Sequence, residues 1–199
     1  MLSLAFTLLG ADVSWLELVA FVFALGCVSC NVVELHWGWP LAIAASVLYA
    51  WLFFTSRLYG DVAVQAFFFV SSIWGWQRWL FGRTTGGART RLRVTRLTGL
   101  QRAGVALAWL ALWPTVGALL ARFTDSDVPY FNALPTVGSG IAQVLLALKY
   151  VETWPVWVVV NVVSIALYAS KRLWLTSVLY GIFTGLALTG WRRWQRKLG

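Results

Sequence analysis

TWPVWVVVNVVSIALYAS, residues 153–170, contains no charged side chain. A helix crossing about 30 Å of hydrocarbon needs about 20 such residues, since no water is present there to satisfy backbone amides and carbonyls. The stretch approaches that length, and similar uncharged runs lie along the whole chain. They cover 13–33 (with Glu17 placed near the interface), 37–56, 62–77 (reaching 80 if Arg78 snorkels), 103–121, 128–148, 153–170 and 173–191. Barrel strands would be shorter and would alternate in polarity. Seven transmembrane helices fit the pattern. The fold class expected is an all-α membrane protein, with 1–199 forming one transmembrane domain.

Composition agrees. The chain is 60% hydrophobic and only 12% charged, against about 25% charged in a soluble domain. A net charge of +9 would suit nucleic acid. However, the basic residues sit at the ends of apolar runs and in one loop, which is a membrane pattern. No nucleic-acid partner is expected; the lipid bilayer is. Cys27 and Cys30 lie inside an apolar run and read as small helix residues rather than a redox pair. His36 is the single histidine, so a histidine metal cluster is excluded. No catalytic Ser/His/Asp set and no phosphate-binding glycine loop is present. Neither metal nor cofactor is expected, nor an enzyme. Residues 2–10 lack a basic leader and read as an outer segment before the first span rather than a cleaved signal.

Orientation follows from the basic residues. An odd number of spans puts the termini on opposite sides. The loop after the third span carries Arg83, Arg89, Arg91, Arg93, Arg96 and Arg102, and the C-terminus carries Arg192, Arg193, Arg196 and Lys197. Arg78 and Lys149 join that side; Arg57, Arg122, Lys171 and Arg172 face the other. The richer side is cytoplasmic by the positive-inside rule, with the N-terminus outside. Asp12, Asp61, Asp125 and Asp127 fall outside.

Self-comparison indicates an internal repeat. Glu34, Trp39 and Ser46 match Glu152, Trp157 and Ser164 at an offset of 118 (152 − 34). Arg57-Leu58-Tyr59 matches Arg172-Leu173-Trp174, and residues 75–79 match 190–194, at 115 (190 − 75). The change of offset predicts a loop three residues shorter between the sixth and seventh helices. A period of four helices makes the copies parallel: repeat 1 over about 13–80, a loop and fourth helix over about 81–122, and repeat 2 over about 128–197. This is a 3+1+3 arrangement like that of SWEET-type carriers, whose sites lie near the midplane between copies.

The motifs also carry a resemblance. Trp39-Pro40-Leu41, Arg57-Leu58-Tyr59-Gly60-Asp61, the WGWQRW of 74–79, TVGS at 136–139, LLALKYVE at 145–152 and WVVVNVVS at 157–164 resemble the PnuC family of bacterial vitamin transporters, from about Asp12 onward. The resemblance implies import of nicotinamide riboside across the bacterial inner membrane by facilitated diffusion. It also implies a homotrimer and one-way uptake through phosphorylation by a cytoplasmic kinase. Relatives carry thiamine, riboflavin or deoxynucleosides, so the cargo alternatives are these. Asn132 stands where many relatives have aspartate. Rival classes are a membrane-embedded enzyme, which lacks convergent ionisable groups at depth, and a non-transporting subunit.

Candidate substrate-binding residues are polar or aromatic groups at membrane depth. Gln65, Gln143 and Asn161 carry amides suited to ribose hydroxyls or a carboxamide, or to interhelical hydrogen bonds. Thr136, Ser139 and Gln143 share a helix face at i, i+3 and i+7. Tyr49, Trp74, Trp39 and Trp157 offer aromatic faces to a cationic ring, and the last two serve equally as anchors or inner gates. Trp79, Trp191 and Trp194 read as interfacial anchors. Glu34, Lys149 and Glu152 are candidate gating groups, with Lys149 and Glu152 set to pair across one helix turn. Gly181 and Gly185 form a small-xxx-small pair that reads as helix association.

Overall fold

A computed structural model describes residues 4–8, 11–55, 59–85, 88–90, 92–124, 127–170 and 174–198. Side chains are described for the same residues except 4–8, 11–14, 17, 59–60, 83–85, 88–90 and 174–175. Arg57, Leu58, Arg91, Asp125, Lys171, Arg172 and Leu173 lie outside the described residues, as does the side chain of Glu17.

Among the described residues, seven helices form where the uncharged runs predict them. They are α1 (Trp15–Val32), α2 (Gly38–Thr55), α3 (Tyr59–Phe81), α4 (Gly99–Phe123), α5 (Pro129–Ala147), α6 (Thr153–Ser170) and α7 (Trp174–Gln195). Three of them, α2, α4 and α6, are long and apolar enough to cross a membrane by length and composition alone. The all-helical expectation omits two short antiparallel hairpins. One pairs β1 (Leu4–Leu8) with β2 (Ala11–Ser14), and the other β3 (Arg83–Thr85) with β4 (Ala88–Thr90). Val13 and Ser14 therefore belong to β2 rather than to the first helix.

The chain divides into two compact units, Met1–Leu92 and Arg93–Gly199. In the first, α2 packs against both α1 and α3. A Schellman turn ends α1: Leu35 N–H donates to Cys30 O (2.8 Å) and Glu34 N–H to Asn31 O (3.1 Å), with Glu34 left-handed at φ 59°. Gly38 then opens α2 against the Asn31 side chain, a place that a Cβ would fill. Pro40 lies in the first turn, where a missing N–H costs nothing.

In the second unit α4 packs on α5, α5 on α6 and α6 on α7. A capping box starts α4: Gln101 N–H donates to Thr98 Oγ1 (3.3 Å) and Thr98 N–H to Gln101 Oε1 (2.9 Å). Two tryptophans then fasten α4 to α5. Trp109 Nε1–H donates to Leu134 O (3.3 Å) and Trp113 Nε1–H to Tyr130 O (2.6 Å). Gly138 makes room for Trp109, and Gly117 for the Tyr130 ring. The opposite face of α4, with Leu100, Leu107 and Leu119, is exposed.

The turn between α5 and α6 reproduces the first unit's turn bond for bond. Tyr150 N–H donates to Leu145 O (2.9 Å) and Lys149 N–H to Leu146 O (3.0 Å), with Lys149 at φ 57°. Equivalent positions are 115 apart throughout: 149 − 34 at the turn, 153 − 38 and 170 − 55 at the helix ends, and 174 − 59 at the next start. This overturns the 118 register. The counterpart of Glu34 is Lys149, not Glu152, and that of Trp39 is Trp154, not Trp157. No loop is shortened, since the gaps 56–58 and 171–173 are equal.

Packing explains why Trp154 is the counterpart. Trp39, only 1% exposed, lies on Gly75 and meets Trp79 edge-to-face at 5.4 Å and 84°. Trp154 lies on Gly190 and meets Trp194 at 5.4 Å and 88°. Each indole fills a space that only a glycine leaves on the facing helix. Trp79 and Trp194 are therefore buried, not surface anchors.

Candidate functional site

The first unit contains a groove of about 440 Å³ between α2 and α3, within the range of about 300–1,000 Å³ typical of ligand sites. Its aromatic wall is Trp51, Phe54 and Phe69, and its polar side chains are Ser46 and Gln65. The bounds of α2 and α3 follow from their uncharged runs, which put Ser46 in the middle of one and Gln65 near the start of the other. Ser46 is buried and Gln65 half-buried. The surface of the groove is almost wholly apolar, and Gln65 adds beside Ser46 a primary amide with two donors and an acceptor.

The remaining expected residues spread over both units. In the first, Tyr49 is half-buried and stacks on Phe53 at 6.0 Å and 20°. Trp74 is half-buried beneath the Arg78 guanidinium, 5.5 Å from its ring centroid. Neither lines the groove. Trp39 is core, as described above, so its ring is a packing element of its own unit. Glu34 sits in the left-handed turn position and is half-buried.

In the second unit Thr136, Ser139 and Gln143 share one face of α5, as the spacing requires. The Thr136 hydroxyl donates back to Asn132 O (2.9 Å) on its own helix. Gln143 and Asn161 are buried, with 6% and 4% exposure. Trp157 is half-buried on α6. Lys149 and Glu152 stand in the α5–α6 connection, not on a helix, so they cannot pair across a helix turn. Glu152 instead takes Arg102 of α4: Arg102 Nη2 is 2.9 Å from Glu152 Oε1. Its Oε2 accepts from Leu97 N–H (3.2 Å). Beside it the chain forms a one-residue parallel bridge, with Thr95 N–H to Lys149 O (3.1 Å) and Val151 N–H to Thr95 O (3.0 Å). Glu152 thus ties the start of α4 to the α5–α6 turn.

Sequence reasoning missed the aromatic wall of the groove and the Arg102 partner. Trp51, Phe54 and Phe69 were legible only as apolar residues within spans, because the groove depends on how α2 and α3 lie against each other. Arg102 is 50 residues from Glu152 in sequence. Gly181 and Gly185, read as a packing pair, are exposed, and a Cβ at either would meet nothing within 4 Å among the described residues.

The nicotinamide mononucleotide transporter family matches residues 14–196 of this sequence. The chain belongs to that family. Membership makes it an integral membrane protein of a transporter family. Among its relatives, the nicotinamide riboside transporter PnuC of Escherichia coli is 28% identical, with 93% of this chain and 87% of that protein covered. The riboflavin/roseoflavin transporter RibM of Streptomyces davaonensis is 26% identical over 96% of this chain and 89% of its own length. A crystal structure of the vitamin B3 transporter PnuC has the same fold, with TM-score 0.74 at 24% identity, covering 92% of this chain and 82% of that one.

Proposed function

We propose that this protein imports nicotinamide riboside by facilitated diffusion across the bacterial inner membrane. The observation that carries the reading is the near full-length match to PnuC of Escherichia coli, 93% of this chain against 87% of that one. In this reading all seven helices span the membrane, with the N-terminus outside and the basic C-terminus in the cytoplasm. Helices α1–α3 and α5–α7 are parallel copies and α4 restores the direction, the SWEET-like 3+1+3 plan. The common step of 115 between their turns, helix ends and tryptophan–glycine contacts supports it. The assembly is a homotrimer, and a cytoplasmic kinase makes uptake one-way by phosphorylating the vitamin.

Gln65 and Ser46 bind the polar part of the cargo in the groove, while Trp51, Phe54 and Phe69 exclude water around it. In the first unit Trp74 and Tyr49 are further candidate substrate contacts, and Trp39 holds the α2–α3 frame that shapes the groove; in the second unit the candidate contacts are Thr136, Ser139, Gln143, Asn161 and Trp157. Glu34, Lys149 and Glu152 act as gating groups at the helix turns. The likeness to RibM supports riboflavin as the alternative cargo. Calorimetry on the purified protein with nicotinamide riboside, thiamine, riboflavin and a deoxynucleoside separates these readings. Saturable binding of nicotinamide riboside, with counterflow of the labelled vitamin in proteoliposomes, is the expected result. Binding of riboflavin alone replaces the cargo, and no counterflow removes the transport reading.

A further inference from the structure

Two groups of arginines meet at one end of the second unit. Arg93 and Arg96 flank Thr95, whose backbone is bonded to Lys149 and Val151 in the α5–α6 turn. Arg192, Arg193 and Arg196 surround Trp194 near the end of α7, and the Trp194 ring meets Trp154, just beyond that turn, at 5.4 Å. Both groups are therefore fastened to the same turn, and all these arginines are exposed. On α7 the three lie within about 100° of arc, on the side away from buried Trp194. The carboxylate at this end, Glu152, is already engaged by Arg102 and by Leu97 N–H. Asp127, the other described acidic side chain of the unit, precedes α5 and so lies at the far end of that helix. This end is also where two of the helices long and apolar enough to cross a membrane begin, α4 at Gly99 and α6 at Thr153. In an integral membrane protein the arginines then stand level with the lipid headgroups.

We propose that this end of the second unit is a docking surface for the headgroups of anionic phospholipids. The proposal goes beyond the cargo and holds whichever vitamin is carried. A guanidinium presents a rigid fork of donors that takes phosphate oxygens two at a time. Each basic residue close to an anionic membrane surface favours binding by about fivefold. A headgroup that takes one or two arginines is therefore preferred about fivefold to thirtyfold over a zwitterionic one, whose ammonium cancels the phosphate charge. Charge alone would also suit a soluble polyanion; the depth of the arginines, level with the first turns of α4 and α6, selects the lipid.

The test is native mass spectrometry of the full-length protein, released from detergent micelles that hold phosphatidylglycerol and phosphatidylcholine of the same acyl chains in equal amounts. Wild type retains phosphatidylglycerol about fivefold to thirtyfold more often. The triple variant Arg192→Gln/Arg193→Gln/Arg196→Gln lowers that ratio by about fivefold or more, and so does the double variant Arg93→Gln/Arg96→Gln. Arg122→Gln, exposed at the opposite end of α4, leaves it unchanged. The two variants alter separate segments, so if one fails to fold the other decides. Equal retention of the two lipids by wild type overturns the proposal. A preference that survives both variants, or that Arg122→Gln reduces equally, overturns it as well. Displacement of the retained lipid by added inorganic phosphate assigns the surface to a soluble anion and removes the lipid as its occupant. Counterflow of the vitamin is a separate measurement, so its failure and the failure of this proposal are distinguishable.

Discussion

Replacing Gly75 by alanine tests the packing that fixes the frame of the first unit. An added Cβ would overlap the Cη2 and Cζ3 edge of Trp39, with Cζ2 at 2.7 Å. At Gly190 the same change puts the Cβ 2.6 Å from Trp154 Cη2 and Cζ2. Carbon atoms in good contact lie about 3.5–4.0 Å apart, so each indole must retreat by about 1 Å. Neither has room, because Trp79 and Trp194 hold them edge-on at 5.4 Å. Overpacking of this kind costs about 1–3 kcal/mol. Alanine recovers about 0.5–1 kcal/mol of helix stability relative to glycine, which leaves a net loss of about 0.5–2 kcal/mol. Gly181→Ala and Gly185→Ala carry the helix gain without the clash, since nothing lies within 4 Å of either Cβ. In detergent melting curves Gly75→Ala and Gly190→Ala should fall below wild type by similar amounts, and the two controls should match or exceed it. In a Trp39→Leu background the cost of Gly75→Ala should shrink, a coupling of about 0.5–3 kcal/mol. Coincident melting of Gly75→Ala and Gly181→Ala would refute the contact.

The other predictions concern the turns, the cap and the groove. Lys149→Gly removes a left-handed non-glycine residue and should raise the melting temperature, since that conformation costs about 1–2 kcal/mol with a Cβ; loss of counterflow in the same variant would assign the side chain to transport. Glu152→Gln keeps an acceptor for Leu97 N–H and should cost under about 1 kcal/mol, the worth of an ion pair whose Arg102 partner is exposed, whereas Glu152→Ala should cost about 1–3 kcal/mol; equal losses in chemical unfolding would rule out the Leu97 bond. Thr98→Ala removes the α4 cap and should lower stability by about 1 kcal/mol. Gln65→Leu should weaken cargo binding by about tenfold or more with unchanged melting, since the amide serves the groove and not the core; an unaltered calorimetric affinity would exclude Gln65 from the site.

The helices were legible because membrane burial acts on charge, and charge is visible one residue at a time. The run 153–170 matches α6 at both ends, and the others differ by a few residues. The hairpin of 4–14 was not legible, because its pairing is a backbone property and its apolar residues resemble the start of a span. The packing of α4 on α5 was not legible either. A long apolar helix between two repeats suggests a connector, but Trp109 and Trp113 join α4 to α5 through carbonyls, and no residue pattern advertises an indole aimed at a backbone oxygen. The groove was out of reach for the same reason: its volume is set by the spacing of helices, not by the letters on them.

The repeat shows why matching letters misled. Glu34 and Glu152 are identical residues, yet Glu34 occupies a left-handed turn position and Glu152 an ion-pair site. The true counterpart of Glu34 is Lys149, of opposite charge, because that position constrains the backbone and leaves the side chain unspecified. Trp39 and Trp154 are different, because there the constraint is volume. Only an indole fills the space above Gly75 or Gly190, so ring and glycine recur together. Both copies begin the second helix with Trp-Pro, at 39–40 and 154–155, which marks the 115 register within the sequence itself. Packing positions therefore carry the repeat in their letters, whereas the groove positions, Gln65 against Tyr180 and Trp51 against Ala166, carry it only in their places. A duplicated frame with different residues at these positions fits a protein whose two copies share a structural task and differ in what they present to a ligand.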